Sequence, residues 1–222
     1  MTVVPQSSTK KLLGELTREY EASLPSSPGE RYLLERGITK EAQSYFHLGF
    51  VANPRPEERM YRGRLSIPYI VGSSVVGIKY RTLEGEPDGF KYISSTGFAA
   101  RRIFNPNILR KLHTKIYVCE GEIDAITLAQ LGVPAIAIPG AENWNPVAAR
   151  ALRNRRVVVL ADGDGKPGKG AAAGRRLADQ ILTAVDDAGK IVMEGTDVNE
   201  YFNTHGAEKL LEYIGWSESG RS

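Results

Sequence analysis

Acidic side chains follow two short apolar segments in the second half of the chain. Glu120 comes directly after residues 116–119 (IYVC), and Asp162-Gly163-Asp164 comes directly after residues 157–161 (VVVLA). Such runs are typical of strands buried on both faces of a parallel sheet, and open α/β sheets place their sites at the carboxyl ends of these strands. Carboxylates are preferred ligands of Mg²⁺, which keeps several waters and needs few protein oxygens. The pattern predicts a phosphoryl-transfer centre in which Glu120, Asp162 and Asp164 converge on a divalent cation, Mg²⁺ or Mn²⁺.

Two further motifs could complete this centre. Asp197 lies in the segment Thr196-Asp197-Val198-Asn199-Glu200 and is either another metal ligand or the N-cap of a helix that begins at Val198, two roles that are compatible. The glycine-rich turn at residues 165–170 leads into a predicted helix, and helix N-termini with nearby cations bind phosphate. Lys166 and Lys169 are therefore candidate phosphate ligands. The alternative is a solvated loop.

Basic residues concentrate in the first half of the chain. Residues 1–112 contain 17 lysines and arginines against 11 acidic residues, whereas the rest contains 12 against 15. This asymmetry favours a polyanionic substrate over a plain mixed-charge surface, although the latter remains an alternative. Lys79 and Arg81 should project from the same face of one strand because side chains alternate along strands. Four basic residues on or beside the predicted strands are candidate phosphate contacts: Arg64, Lys79, Arg81 and Lys91.

The order of predicted elements changes near residue 113. The first part reads as short helices followed by strands that tight turns connect, which indicates a mixed α+β subdomain with an antiparallel sheet. The second part alternates strands and helices, which indicates an α/β domain with a parallel four-stranded sheet. Its strands are predicted at 116–119, 135–138, 157–161 and 191–193, and its helices at 123–131, 146–153, 171–183 and 198–202. We predict domains at 1–112 and 113–205, then a C-terminal helix and a disordered tail within 206–222.

Composition excludes several classes of protein. The chain has 222 residues, 41% of them apolar and 25% charged, as in ordinary globular domains. No apolar run approaches the length of a transmembrane helix, and the N-terminus lacks the features of a signal peptide. The single cysteine, Cys119, cannot form an intramolecular disulfide or a zinc site alone. We therefore expect a cytoplasmic protein that does not associate with membranes.

The acidic motifs resemble a known domain. Residues 118–125 (VCEGEIDA), residues 160–164 (LADGD) and residues 196–200 (TDVNE) together resemble the TOPRIM domain of bacterial DnaG-type primases, topoisomerases, OLD nucleases and RecR. The resemblance implies a TOPRIM-like parallel sheet flanked by helices. It also implies that Glu120 is a general acid/base or metal ligand and that Asp162 and Asp164 bind magnesium.

The first half of the chain selects among these relatives. Residues 32–38 (YLLERGI), 63–69 (GRLSIPY) and 76–83 (VGIKYRTL) are similar to the opening of the primase catalytic core. In primases, the matching basic residues contact the template or the incoming nucleotide. This role carries over best to Arg81 and Lys91, less directly to Arg64, and to Arg101 or Arg102 in an unsettled register.

The resemblance has clear departures. Primases of this family carry a zinc module, which one cysteine cannot supply, and a larger helical region and a helicase domain after the TOPRIM domain. The chain is thus similar to a stripped catalytic core of the kind a phage encodes, which would place it in the host cytoplasm. A separate zinc-binding primase subunit and a replicative helicase are candidate partners.

The sequence therefore predicts a DNA primase catalytic core that synthesises short RNA primers on single-stranded DNA from nucleoside triphosphates. Two alternatives remain open. The same acids could activate water in a metal-dependent nuclease, and a TOPRIM domain could serve as a non-catalytic DNA-binding module in a replication or repair assembly.

Overall fold

The N-terminal helices begin where the sequence supplies caps. The computed structural model describes residues 7–83, 90–98, 102–111, 115–163 and 169–217, without the side chains of 141 and 169–175. Serine and threonine hydroxyls cap helices α2 and α3: Ser27 Oγ accepts the Glu30 N–H at 3.2 Å, and Thr39 Oγ1 accepts the Ala42 N–H at 3.2 Å. The helices are α1 (Ser7–Ala22), α2 (Pro28–Glu35) and α3 (Lys40–Tyr45).

An antiparallel sheet follows these helices, as the tight turns of the sequence predict. Its strands, in spatial order, are β1 (Gly49–Phe50), β2 (Leu65–Val71), β3 (Ser74–Arg81) and β4 (Tyr92–Ser94). The 3₁₀ helix Pro56–Tyr61 lies between β1 and β2. Tyr80 of β3 is fully buried, and the Tyr61 ring stacks on it with centroids 3.9 Å apart. Helix α1 contributes Leu16 and Tyr20 to this cluster, so burial of its apolar face holds the helix on the sheet.

A four-stranded parallel sheet forms the second part of the chain, which confirms the predicted fold class. Its spatial order is β6-β5-β7-β8, so β5 and β7 are the central strands. Both central strands are almost wholly buried, as their apolar runs predict. The strands are β5 (Lys115–Cys119), β6 (Ala135–Ala137), β7 (Arg156–Ala161) and β8 (Ala188–Val192).

Four helices flank this sheet, and α6 supplies Leu177, Ala178 and Ile181 to the core. The backbone leaves the helical region at Gly206, with φ +84° and ψ 174°, so α7 consists of two helical segments joined by a kink. The predicted disordered tail, residues 217–222, lies outside the described residues apart from Ser217. The helices are α4 (Glu122–Gln130), α5 (Pro146–Leu152), α6 (Lys169–Ala184) and α7 (Val198–Tyr213), with 3₁₀ helices at Pro106–Arg110 and Ala141–Asn143.

Some predicted bounds were wrong. Strand β8 occupies 188–192 rather than 191–193, because an edge strand whose residues are half exposed carries a weak apolar signal. Strand β6 ends at Ala137 rather than at residue 138, and helix α6 covers 169–184 rather than 171–183. These shifts do not change the order of elements.

Contacts divide the chain into two compact units, Met1–Ala100 and Arg101–Ser222. The segment 102–111 contacts the parallel sheet: Phe104 forms a β-bridge with Ala137, and Asn105 Nδ2 donates to the Ala135 carbonyl at 2.9 Å. The predicted domain bounds at 112 and 205 stay a prediction. Within the described ranges, no helix combines the length and apolarity needed to cross a membrane.

Candidate active site

The candidate site lies at the carboxyl ends of the two central strands of the parallel sheet. Glu120 follows the last residue of β5, and Asp162 follows the last residue of β7. Val118 pairs in register with Val159, so the two strands end at the same edge and bring both carboxylates there. The structure thus brings together two of the three acids that the sequence assigns to the catalytic centre.

The charge of Asp162 acts on Glu120. Burial, and secondarily the negative charge of Asp162, raises the pKa of Glu120 to about 7, while a hydrogen bond from the Asp162 backbone N–H acts in the opposite direction. Glu120 Oε1 is buried and has no hydrogen-bond partner among the described residues. A buried carboxylate oxygen without a donor, beside a second carboxylate, is unfavourable by itself. A divalent cation would supply the missing positive partner, so these residues fit the predicted metal.

Several acidic side chains lie close enough to the Cys119 thiol to affect its pKa. Burial raises the pKa of its thiol, and the negative charges of four carboxylates add to the effect, in the order Asp124, Asp162, Glu120 and Asp197. The thiol is buried and free. Its environment is therefore strongly negative, which is the field that concentrates cations at a site.

Asp197 has the structural role that the sequence left open. Its Oδ1 accepts the Glu200 N–H at 2.7 Å and caps α7, which satisfies one of the unpaired amides at the helix start. The cap occupies one carboxylate oxygen. The proposed ligand role of Asp197 concerns the other oxygen and stays a prediction.

Gly163 fixes the position of Asp162 through backbone packing. Its N–H donates to the Thr196 carbonyl at 3.0 Å, and the Met193 N–H donates to the Ala161 carbonyl at 2.9 Å. A Cβ at position 163 would overlap the Met193 carbonyl oxygen and lie 2.5 Å from the Gly195 nitrogen. Glycine is therefore required because two backbone segments meet there, and not only because it separates two carboxylates.

A buried polar network connects α4 with α7. Asp124 Oδ1 accepts the Asn199 N–H at 3.0 Å, and Asn199 Nδ2 donates to Thr127 Oγ1 at 2.8 Å. All three residues are buried. Position alone does not single out Asp124, because acids are favoured in the first turn of any helix. The available signal was Thr127 three residues later, which adds a second polar side chain to the same face of a mostly apolar helix.

The structure does not describe the side chains of three residues that the sequence assigns to metal or phosphate binding. Asp164 and Lys166 lie outside the described residues, and Lys169 begins α6 but its side chain is not described. Within the described ranges, no group of three or more histidine, cysteine or acidic residues is arranged to hold a metal ion. The three-acid centre as a whole therefore stays a prediction.

Two of the predicted cations in the N-terminal unit, Lys79 and Arg81, lie beside an aromatic ring, whereas Arg64 is buried. Lys79 Nζ lies 4.4 Å and the Arg81 guanidinium 5.1 Å from the Tyr92 ring centroid, consistent with side chains on one face. Arg81 is only 9% exposed and also lies over Tyr32. Arg64 is only 4% exposed, so its role is at least partly structural.

Arg64 donates to Thr82 Oγ1 and, at 3.2 Å, to the Phe90 carbonyl, which connects the end of β3 with the segment before β4. Lys91 is exposed. Arg102 belongs to the second unit, where burial lowers its pKa.

A family comparison agrees with this geometry. The model of the Toprim domain family matches residues 115–208, the range that contains the parallel sheet and both strand-end acids. The chain is a Toprim-domain protein. The Gene 57 protein of Mycobacterium phage D29 is 37% identical over 163 residues, which cover 70% of this chain and all of the phage protein. The two proteins belong to one family.

Primases are more distant in sequence but share the fold. The DNA primase of Haemophilus influenzae is 26% identical over 95% of this chain, which spans only 43% of that primase. The RNA polymerase domain of Mycobacterium tuberculosis primase DnaG has a TM-score of 0.75 at 19% identity, with 95% of this Toprim chain and 84% of that chain covered. A DnaG catalytic domain bound to single-stranded DNA has a TM-score of 0.68 at 21% identity, over 93% and 80%. The fold is that of DnaG-type catalytic cores.

Proposed function

We propose that this protein is a DNA primase catalytic core, which synthesises short RNA primers on single-stranded DNA by metal-dependent nucleotidyl transfer. The observation that carries the proposal is the pair Glu120 and Asp162 at adjacent strand ends, with Glu120 Oε1 buried and unpartnered within the described chain. The fold and the similarity to the Haemophilus influenzae primase support the choice of reaction.

The acids would hold the metal. Glu120 and Asp162 would be the ligands within the described residues, and we assign Asp164 and the second oxygen of Asp197 as further ones on the sequence motif. When bound, Mg²⁺ or Mn²⁺ supplies Lewis-acid chemistry that aligns the primer 3′-hydroxyl with the α-phosphate and stabilises the leaving pyrophosphate. Glu120 either holds this ion or accepts the hydroxyl proton, and the two roles can belong to different steps.

The N-terminal unit would bind the template. Lys79 and Arg81 lie against the Tyr92 ring, and Arg81 also lies against Tyr32. Cations beside aromatic rings are the combination with which proteins hold single-stranded nucleic acid, because the cations pair with phosphates and bases stack on rings. Lys91 would add a phosphate contact. On the sequence pattern alone, we assign Arg64, Arg102, Lys166 and Lys169 to the template or the nucleotide, and a zinc-binding subunit and a replicative helicase as partners.

One assay separates the three functions that these residues could support. The protein is incubated with primed and unprimed single-stranded templates, labelled ribonucleoside or deoxyribonucleoside triphosphates, and Mg²⁺, with EDTA as the control. The proposal predicts template-dependent RNA products that EDTA abolishes. Cleavage of the template without synthesis would instead identify a nuclease. DNA binding with neither reaction would identify a non-catalytic module.

A further inference from the structure

An open cavity of about 810 Å³ lies at the edge of the parallel sheet opposite the candidate active site. It forms where β5 begins at Lys115 and β7 begins at Arg156, and the chain after α7 closes one side with Trp216. Glu120 lies five residues along β5 from Lys115, about 16 Å at the rise of a strand. The cavity is therefore a separate feature of the same unit.

Cations concentrate in this cavity at a cost in stability. Lys115 and Arg156 are register partners on neighbouring parallel strands, where like charges destabilise the pair. Burial lowers the pKa of Lys115, and the charge of Arg156 lowers it further. Arg153 also lines the cavity. A bound anion would reduce the repulsion between Lys115 and Arg156.

These three cations form no ion pair within the part of the chain that the structure describes. Within residues 115–163 and 169–217, no acidic side chain forms an ion pair with Lys115, Arg153 or Arg156, although Asp186 and Asp187 also line the cavity. Lys115 Nζ donates to the Gly215 carbonyl at 2.9 Å, a neutral acceptor. The positive charge is therefore available to a ligand.

The walls of the cavity are held in place by hydrogen bonds and ring contacts. The Arg155 guanidinium donates to the Leu109 carbonyl at 2.6 Å and contributes to one wall. The Trp216 ring meets Tyr117 edge-to-face with centroids 6.0 Å apart, and Tyr117 Oη donates to the Ile214 carbonyl at 3.0 Å. These contacts position an indole beside the cations, so the site needs little rearrangement to bind a ligand.

We propose that this cavity binds a nucleoside phosphate. Guanidinium groups match phosphate oxygens with paired hydrogen bonds, and an indole offers a stacking surface for a base. The volume lies within the range of sites for small molecules. Asp186 and Asp187 also line the cavity and can accept hydrogen bonds from ribose hydroxyls.

The test measures ATP binding by isothermal titration in EDTA, so that metal-dependent binding at the acidic site does not contribute. The variant R153A/R156A removes two exposed arginines and the repulsion with Lys115. We expect it to weaken ATP binding by about tenfold or more, because charge-assisted phosphate contacts are lost. The matched control, R150A, removes an exposed arginine of α5 that does not line the cavity, and should bind as the wild type does.

Three further arms identify the source of any binding. D162N should bind ATP in EDTA with unchanged affinity, since Asp162 lies at the other edge of the sheet. Inorganic phosphate and a 12-mer oligothymidylate are titrated as competitors and should be weaker than ATP. The proposal is overturned if wild-type protein does not bind ATP, if R153A/R156A binds it normally, if D162N abolishes binding, or if either competitor matches ATP.

Discussion

At the scale of single residues, the candidate centre depends on how closely backbone segments approach. Asp162 is positioned by the turn at Gly163, whose N–H binds the Thr196 carbonyl, and the Met193 carbonyl lies where a side chain would be. The same turn brings the Asp162 N–H to the Glu120 carboxylate. The geometry of the acids is therefore set by a residue that has no functional group.

The variant G163A should lower the free energy of unfolding by about 1–3 kcal/mol, because the new Cβ forces the 193–195 backbone away. Urea denaturation of the purified protein measures this change. The control is G189A on the edge strand β8, where a Cβ would meet no atom within 4 Å. It should change stability by less than about 0.5 kcal/mol. Equal effects of the two substitutions would contradict the packing argument.

Glu120 and Asp162 could be predicted from the sequence because each follows an apolar run long enough to be a buried strand. Because strand ends in parallel sheets converge, the apolar runs predict that these two acids share one edge of the sheet, whereas their catalytic role stays a prediction. Asp124 could not be found in this way, because an acid in the first helical turn is favoured whether or not it is buried. Its importance becomes visible only through the bond that Asn199, distant in sequence, donates to it.

At the scale of elements, α4 and α7 are connected by polar contacts rather than by apolar packing alone. The start of α7 carries the Asp197 cap and the Asn199 amide, and α4 carries Asp124 and Thr127. Because α4 follows Glu120 and α7 follows the segment that contacts Gly163, this network connects the two sides of the candidate centre.

The variant T127V should destabilise the protein by about 1–3 kcal/mol, because it leaves the buried Asn199 Nδ2 without this acceptor. Chemical denaturation again provides the measurement. T204V is a matched control: Thr204 also donates to the carbonyl four residues earlier at 2.9 Å, as Thr127 does, but it is exposed on α7. If both variants lose the same stability, the helix-to-helix bond contributes nothing.

The order and type of the elements could be read from the sequence, whereas several bounds could not. Continuous apolar residues identify the central strands in the sequence. Strand β8 includes Gly189 and Lys190 and is partly exposed, so the sequence predicted only its last residues as a strand. Gly206 signalled a break, and the backbone there does leave the helical region, yet helical hydrogen bonding resumes and the two predicted segments form one kinked α7.

At the scale of the whole molecule, the chain combines two units of different charge and architecture. The N-terminal unit has an antiparallel sheet whose Lys79 and Arg81 lie on aromatic rings, and the second unit has a parallel sheet with acids at one edge. The opposite edge carries the basic cavity at Lys115 and Arg156. We propose that the first surface binds template and the second binds metal with the reacting nucleotide, and that the third binds a nucleoside phosphate at a site separate from the catalytic centre.

Primer synthesis by acid-substituted variants tests the central claim most directly. E120Q, D162N and the control E208Q, an exposed position on α7, are compared in template-dependent RNA synthesis with Mg²⁺. We predict that the first two lose activity by about 100-fold or more, in line with the loss of one stabilising group from a charged transition state, while E208Q keeps it. Removing one of two repelling carboxylates should not lower the free energy of unfolding of either variant. Wild-type rates of RNA synthesis in E120Q and D162N would contradict the assignment of these acids as the catalytic centre.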